Sequence, residues 1–230
     1  MLETVSNELL AYQEDRLDSY IELNKTMARA GIVFVGDSII EFFPLKKYLG
    51  RDVPIINRGI AGTDSTWLQE HLHEQVLALE PEKVFILIGT NDIGLGKSNP
   101  EIKENILDIL TEIHSENPYI KVCLMSVLPV SEDIKYQNTV KVRTNQVIDS
   151  LNADLQTIPG IEFIDLATIL KAGGSGLADD FTKDGLHLNL LGYQKISQIL
   201  LEYVYLKQER EKYFYDNQIN CLRHGWYFLE

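Results

Sequence analysis

The apolar positions of the chain repeat with two alternating periods. Between residues 4 and 30, Leu10, Leu17, Tyr20, Ile21 and Met27 fall on one side of a predicted helix, with acids and amides elsewhere. Ile32-Val33-Phe34-Val35 follows, a continuous apolar run of the kind needed by a strand covered on both faces. Similar runs occur at 53–56, 84–88, 122–128 and 161–166. Helical spacing fills the gaps. Leu68, Leu72, Val76 and Leu79 recur every three or four residues, as do Ile102, Ile106, Ile109 and Ile113. Val140, Val147, Ile148, Leu151 and Leu155 predict a further helix, and Ile196, Ile199, Leu200 and Tyr203 the last long one. Ser98 and Glu101 have capping-box spacing, whereas Pro100 at the first helical position would make Asn99 the cap. Five buried strands with intervening helices predict one doubly wound α/β domain with a parallel sheet over residues 1–206, N-terminal helix included.

Residues 207–230 break the pattern. A charged run from Lys207 to Lys212 leads into Tyr213-Phe214-Tyr215 and later Trp226-Tyr227-Phe228. The simplest expectation is a strap docked on its own domain. A dimer arm, and hence a homodimer, or a cover over the site mouth are the alternatives.

Composition narrows the partners. The 230 residues are 45% hydrophobic and 24% charged, which suits one sizeable core and excludes wholesale disorder. Against 34 Asp and Glu stand 21 Lys and Arg, a net charge of -13 that repels a phosphate backbone. Nucleic acid is therefore not an expected partner, and neither is an anionic membrane. Cys123 and Cys221 are too far apart for a metal-ligand spacing, and Cys123 sits in an apolar run where an inert thiol is expected. No stretch approaches the ~20 apolar residues that span a bilayer. The acidic start, Met1-Leu2-Glu3-Thr4, lacks the basic and apolar regions of a secretory signal, so the sequence reads as cytoplasmic.

Open parallel sheets bind ligands beyond the carboxyl ends of their strands. The predicted topology brings Gly36-Asp37-Ser38-Ile39-Ile40, Asn57–Gly62, Gly89-Thr90-Asn91-Asp92 and Asp184–Asn189 to that edge. A serine in a strand-to-helix turn is ordinarily an N-cap, so Ser38 needs a base nearby to become a nucleophile. Of five histidines, His71, His73, His114 and His224 read as surface residues. His187 differs, because Asp184 three residues earlier can close its carboxylate onto the ring and orient it. Asp165, Asp179 and Asp180 are the rival acids, and Asp165 is the most serious. Acyl transfer also needs donors for an oxyanion, which the Ser38 amide, the Gly62 amide and the Asn91 side chain can supply. Singly, Gly62 reads as a tight turn and Asn91 as an Asx-turn. Gly59 reads as turn geometry, Asp92 as ordering its own loop, and Asp37 as doing the same beside Ser38. Trp67, the loop Val130–Tyr136 and Phe181 are candidates to line the substrate pocket.

The ordered set of motifs resembles the SGNH (GDSL-like) hydrolases. Gly36-Asp37-Ser38-Ile39 is similar to their nucleophile block, Asn57–Gly62 to the glycine block, Gly89–Asp92 to the asparagine block and Asp184-x-x-His187 to the terminal block. Each is weak alone, and the series in family order across 32–206 is specific. Asn-Arg-Gly-x-x-Gly and Gly-Thr-Asn-Asp look most like the branch of platelet-activating-factor acetylhydrolases and bacterial acyl esterases. The resemblance implies a three-layer flavodoxin-like fold and ester hydrolysis without metal or cofactor. Ser38 would be the nucleophile, His187 the base and Asp184 its partner; Ser38, Gly62 and Asn91 would form the oxyanion hole. A small acetyl or short-chain ester is the expected substrate. Lysophospholipase or thioesterase activity and a non-catalytic flavodoxin-like binding module are the rivals.

Overall fold

Side chains alternate between the two faces of a strand, so each continuous apolar run feeds two cores at once. In the computed structural model, which describes residues 1–27, 29 and 31–205, five strands carry these runs. They are β1 (Ile32–Gly36), β2 (Ile55–Gly59), β3 (Lys83–Leu87), β4 (Lys121–Met125) and β5 (Glu162–Ile164). Every neighbouring pair is parallel, in the order β2-β1-β3-β4-β5. Around them lie α1 (Asn7–Asn24), α2 (Ser38–Glu41), α3 (Leu45–Tyr48), α4 (Ser65–Glu70), α5 (Leu72–Gln75) and α6 (Thr90–Leu95). Then come α7 (Asn99–Glu116), α8 (Gln137–Val140), α9 (Asn145–Leu155), α10 (Ala167–Leu170) and α11 (190–205). This is the flavodoxin-like α/β architecture expected. β1 sits at the switch point, where successive crossovers diverge. The tail from 207, His224 and Cys221 lie outside the described residues.

One core joins Val33, Val35, Val84, Ile86, Val122 and Leu124 to α4, α5, α7 and α9. The other joins Ile32, Phe34, Phe85, Leu87, Cys123 and Met125 to α2, α3, α10 and α11. Phe34 and Phe85 are register partners on β1 and β3, and their rings stack 4.3 Å apart. Burial pushes the Cys123 thiol up to about 12, so it is inert packing. No helix among the described residues is long and apolar enough to cross a membrane.

Several elements depart from the sequence pattern. The spacing from Leu68 to Leu79 runs through two breaks, at His71 and Val76, where the backbone leaves helical angles. All four apolar residues still reach one core, so periodicity reports the buried face and not the continuity of the helix. Val140 likewise ends α8, Lys141 turns the chain at φ 56°, and Val147 on α9 is exposed. On α1 the buried residues are Gln13, Leu17 and Tyr20, whereas Leu10 and Met27 are exposed. Ser98, not Asn99, caps α7, in a complete capping box with Glu101.

β2 begins later than its apolar run and takes in Asn57, Arg58 and Gly59, which the sequence placed in a loop. The polar residues are tolerated because α1 satisfies them. Arg58 lies 4.5 Å from the Tyr20 ring and donates to Asn24 at 2.6 Å. The Tyr20 hydroxyl in turn donates to the Gly59 carbonyl at 2.8 Å.

Candidate active site

Gly36 ends β1 at φ 153°, and a side chain there would begin 1.9 Å from the Leu87 carbonyl oxygen of β3. Only glycine allows the chain to leave the sheet so closely. Asp37 then caps α2, its Oδ1 accepting from the Ile39 N–H at 2.8 Å, and Ser38 becomes the first helical residue. This sharp strand-to-helix turn holds Ser38 above the carboxyl edge of the sheet.

Gly59 does more than shape a turn. A side chain on it would begin 2.3 Å from the Glu41 nitrogen, with Ile40 and Asp37 backbone atoms also within 2.9 Å. Its φ is unremarkable, so the constraint is close approach of β2 to the backbone that carries Ser38. Asn57 fastens the same junction, donating to the Ile40 carbonyl at 2.6 Å and accepting from the Gly59 N–H at 2.9 Å. Gly59→Ala is therefore expected to lower stability by roughly 2–4 kcal/mol by overpacking and to displace Ser38. Urea unfolding alongside turnover checks this; an unchanged midpoint would mean that the backbone gives way there.

The structure brings Ser38, His187 and Asp184 into one hydrogen-bonded chain. His187 Nε2 lies 3.0 Å from Ser38 Oγ, and Nδ1 lies 2.8 Å from Asp184 Oδ2. Asp184 Oδ1 also accepts the backbone N–H of His187 at 2.8 Å and that of Leu186 at 3.1 Å. Partial burial raises the Asp184 pKa, but the His187 and Leu186 N–H groups and the ring outweigh it and hold the carboxyl below its ordinary value. Asp184 thus remains a carboxylate facing Nδ1.

Thr182, which no motif flagged, builds the loop that presents this pair. Its buried hydroxyl donates to the His187 carbonyl at 2.8 Å and accepts from the Gly185 N–H at 2.9 Å. Asn189, at the start of α11, donates to the Asp180 carbonyl at 2.8 Å. The Tyr193 hydroxyl donates to the Ile39 carbonyl at 2.8 Å, tying α11 to α2. Two of the rival acids are used elsewhere. Asp165 accepts from the backbone and hydroxyl of Thr168, and Asp179 pairs with Lys135.

Asn91 lies on α6, buried, between two groups that fix its amide. Its Nδ2 donates to the Thr63 carbonyl at 2.9 Å, and its Oδ1 accepts from Arg143 at 3.3 Å. A carbonyl can only accept and a guanidinium can only donate, so the orientation follows, with a second N–H to spare. Among the described residues, the N–H groups of Ser38 and Gly62 have no acceptor. Asp92 does not order only its own loop: its carboxylate accepts from the backbone and hydroxyl of Ser65 and from Lys97, joining α6 to α4. Phe42, half exposed at the end of α2, presents its ring 6.2 Å from the His187 ring, a neighbour that no sequence pattern indicated. Trp67 packs with Leu17, Tyr20 and Ile60 under α1, and Phe181 against the second core. The loop Val130–Tyr136 meets the acid–histidine loop, with Ser131 N–H donating to the Gly185 carbonyl at 2.8 Å. No cluster of three or more His, Cys, Asp or Glu among the described residues is placed to hold a metal ion.

A parallel five-stranded sheet carrying a hydrogen-bonded serine, histidine and aspartate at its carboxyl edge defines a hydrolase of the α/β class. Comparison with known proteins makes the class specific. The GDSL-like Lipase/Acylhydrolase family model matches residues 34–195, and the chain belongs to that family. Among solved structures, a Streptococcus pneumoniae protein named for platelet activating factor is 35% identical, with a TM-score of 0.83 over 86% of this chain and 95% of that one. An acylhydrolase-like protein of Bacteroides fragilis is 26% identical, with a TM-score of 0.73 over 83% of this chain and 96% of its own. The chain is also 33% identical over 179 residues to the N-acylneuraminate cytidylyltransferase of Escherichia coli. That match covers 75% of this chain but spans 40% of the relative's length.

Proposed function

We propose that the protein is a serine esterase that hydrolyses a small acyl ester, acetyl or short-chain, through an acyl-enzyme. The observation that carries the reading is the unbroken hydrogen-bond chain from Asp184 through His187 to Ser38. Ser38 Oγ attacks the ester carbonyl while His187 Nε2 takes its proton, and Asp184 stabilises the imidazolium that results. The N–H groups of Ser38 and Gly62 and the free N–H of Asn91 receive the oxyanion. His187 returns the proton to the departing alcohol, then activates water to release the acid.

A fluorophosphonate probe tests the nucleophile directly. One equivalent should attach to the peptide containing Ser38, and labelling of any other residue, or none in the folded protein, would overturn the assignment. A p-nitrophenyl ester series from acetate to octanoate, with EDTA present, should show turnover falling with chain length. The matched segment shares a polypeptide in Escherichia coli with an N-acylneuraminate-handling enzyme. Acetyl esters of acylated sugar acids therefore belong in the substrate panel. Asn91→Ala should lower kcat by about 10²–10³ with little change in KM, as expected for a donor engaged in the transition state. A loss confined to KM would place Asn91 in ground-state binding instead.

A further inference from the structure

Both donors supplied from outside the nucleophile turn are held by the first sixteen residues of the chain. On one side, Glu3 accepts from Arg143 Nη2 at 2.6 Å. The same guanidinium, wholly buried, donates from Nε to the Thr90 carbonyl at 2.7 Å and from Nη2 to Asn91 Oδ1 at 3.3 Å. The Glu3 N–H donates to the Gly94 carbonyl at 2.8 Å, so the arm is fixed to α6 by its backbone as well. Gly94 has no room for a side chain, because Arg143 and Glu3 fill that space. Lys141 adds a second cation to Glu3 at 3.3 Å. Glu3 is the only carboxylate in ion-pair contact with Arg143 among the described residues.

On the other side, α1 grips the glycine loop. Gln13 Nε2, buried, donates to the Ala61 carbonyl at 3.2 Å, one residue before Gly62. The Ala61 N–H donates to Glu41 Oε2 at 2.6 Å, and Glu41 Oε1 is engaged by Tyr12 and by Arg16 at 3.2 Å. Both polar groups of the Ala61 residue are thus fixed through α1, while Leu9 packs on Gly62 itself.

We infer that the segment from Glu3 to Arg16 is a brace for the oxyanion hole, with Glu3 positioning Asn91 through Arg143 and Gln13 positioning Gly62 through Ala61. The inference rests on the esterase reading above. A preorganised donor is worth most when it cannot move as charge develops, so slackening either grip costs transition-state binding and leaves ground-state affinity nearly untouched. The two grips reach different donors, and this gives them separable signatures.

The test is a double-mutant cycle on the full chain with p-nitrophenyl acetate, each variant first shown to be folded by circular dichroism. Glu3→Gln removes the countercharge but preserves the shape, and should lower kcat about 10-fold with KM unchanged; in an Asn91→Ala background its effect should shrink below about 2-fold. Gln13→Ala should lower kcat about 5-fold in both backgrounds, because its donor is still present. Glu3→Gln acting equally in both backgrounds, or through KM, would overturn the brace, since a purely structural contact adds to any other lesion. A Ser38→Ala variant that turns over within 10-fold of the wild type would instead overturn the esterase reading, and the brace with it.

Discussion

On the mechanism proposed above, Ser38→Ala should lower kcat by at least ~10⁴-fold while leaving a measurable remainder, because the proposed oxyanion donors and the oriented imidazole would persist without the nucleophile. The fold should be unaffected. Among the described residues Ser38 Oγ hydrogen-bonds to His187 alone, and α2 is capped by Asp37 rather than by Ser38. Alanine is moreover the best helix former at that position. The cost in stability should stay below about 1 kcal/mol. Single-turnover kinetics with p-nitrophenyl acetate, read beside a urea midpoint, separate the two quantities. A variant within 10-fold of wild type would place the nucleophile elsewhere.

The second large effect concerns stability. Asp37 is completely buried; one oxygen accepts the Ile39 N–H, and the other, Oδ2, has no hydrogen-bond partner among the described residues. Burial raises its pKa from 3.8 to about 7, against the opposing pull of the Ile39 N–H and of Arg143, with Asp92 adding to the rise. The folded protein therefore holds a proton that the unfolded chain has already released. That contribution to stability is fully present below about pH 4 and is lost as the pH rises through about 7, a swing on the order of 4 kcal/mol. Asp37→Asn keeps an acceptor for the Ile39 N–H and removes the ionisation, since asparagine caps as well as aspartate. Its stability curve should be flatter than the wild type's between about pH 4 and pH 7, and the variant should be the more stable protein at pH 8. Parallel curves for the two proteins would mean that the buried carboxyl is ionised throughout.

The parallel sheet and the residues at its carboxyl edge were legible because each rests on local signals. A strand buried on both faces announces itself as an apolar run, and Asp184 and His187 are three residues apart on one turn. Continuity of the helices was not legible. The breaks at His71, Val76 and Lys141 leave the buried face intact, and periodicity registers only that face. The end of β2 was not legible for a related reason, since Arg58 is buried by grace of Tyr20 and Asn24 more than thirty residues away. Arg143, Glu3, Glu41 and Thr182 belong to no motif. Their importance lies in contacts such as Glu3 with Arg143, 140 positions apart, which only the folded chain creates. Gly59 reads as turn geometry in the sequence because no local pattern announces the backbone of α2 lying against it.

The imidazole that Ser38 faces is 149 positions further along the chain. At a synthesis rate of about 5–20 residues per second, roughly 7–30 s separate the two on the ribosome. Through that interval the serine is an ordinary hydroxyl, with no imidazole to activate it. On the mechanism proposed above, reactivity arrives only when α11 docks, with the Tyr193 hydroxyl on the Ile39 carbonyl beside Ser38. On that mechanism the order of the chain works as a timer that keeps the nascent protein chemically silent until α11 is in place.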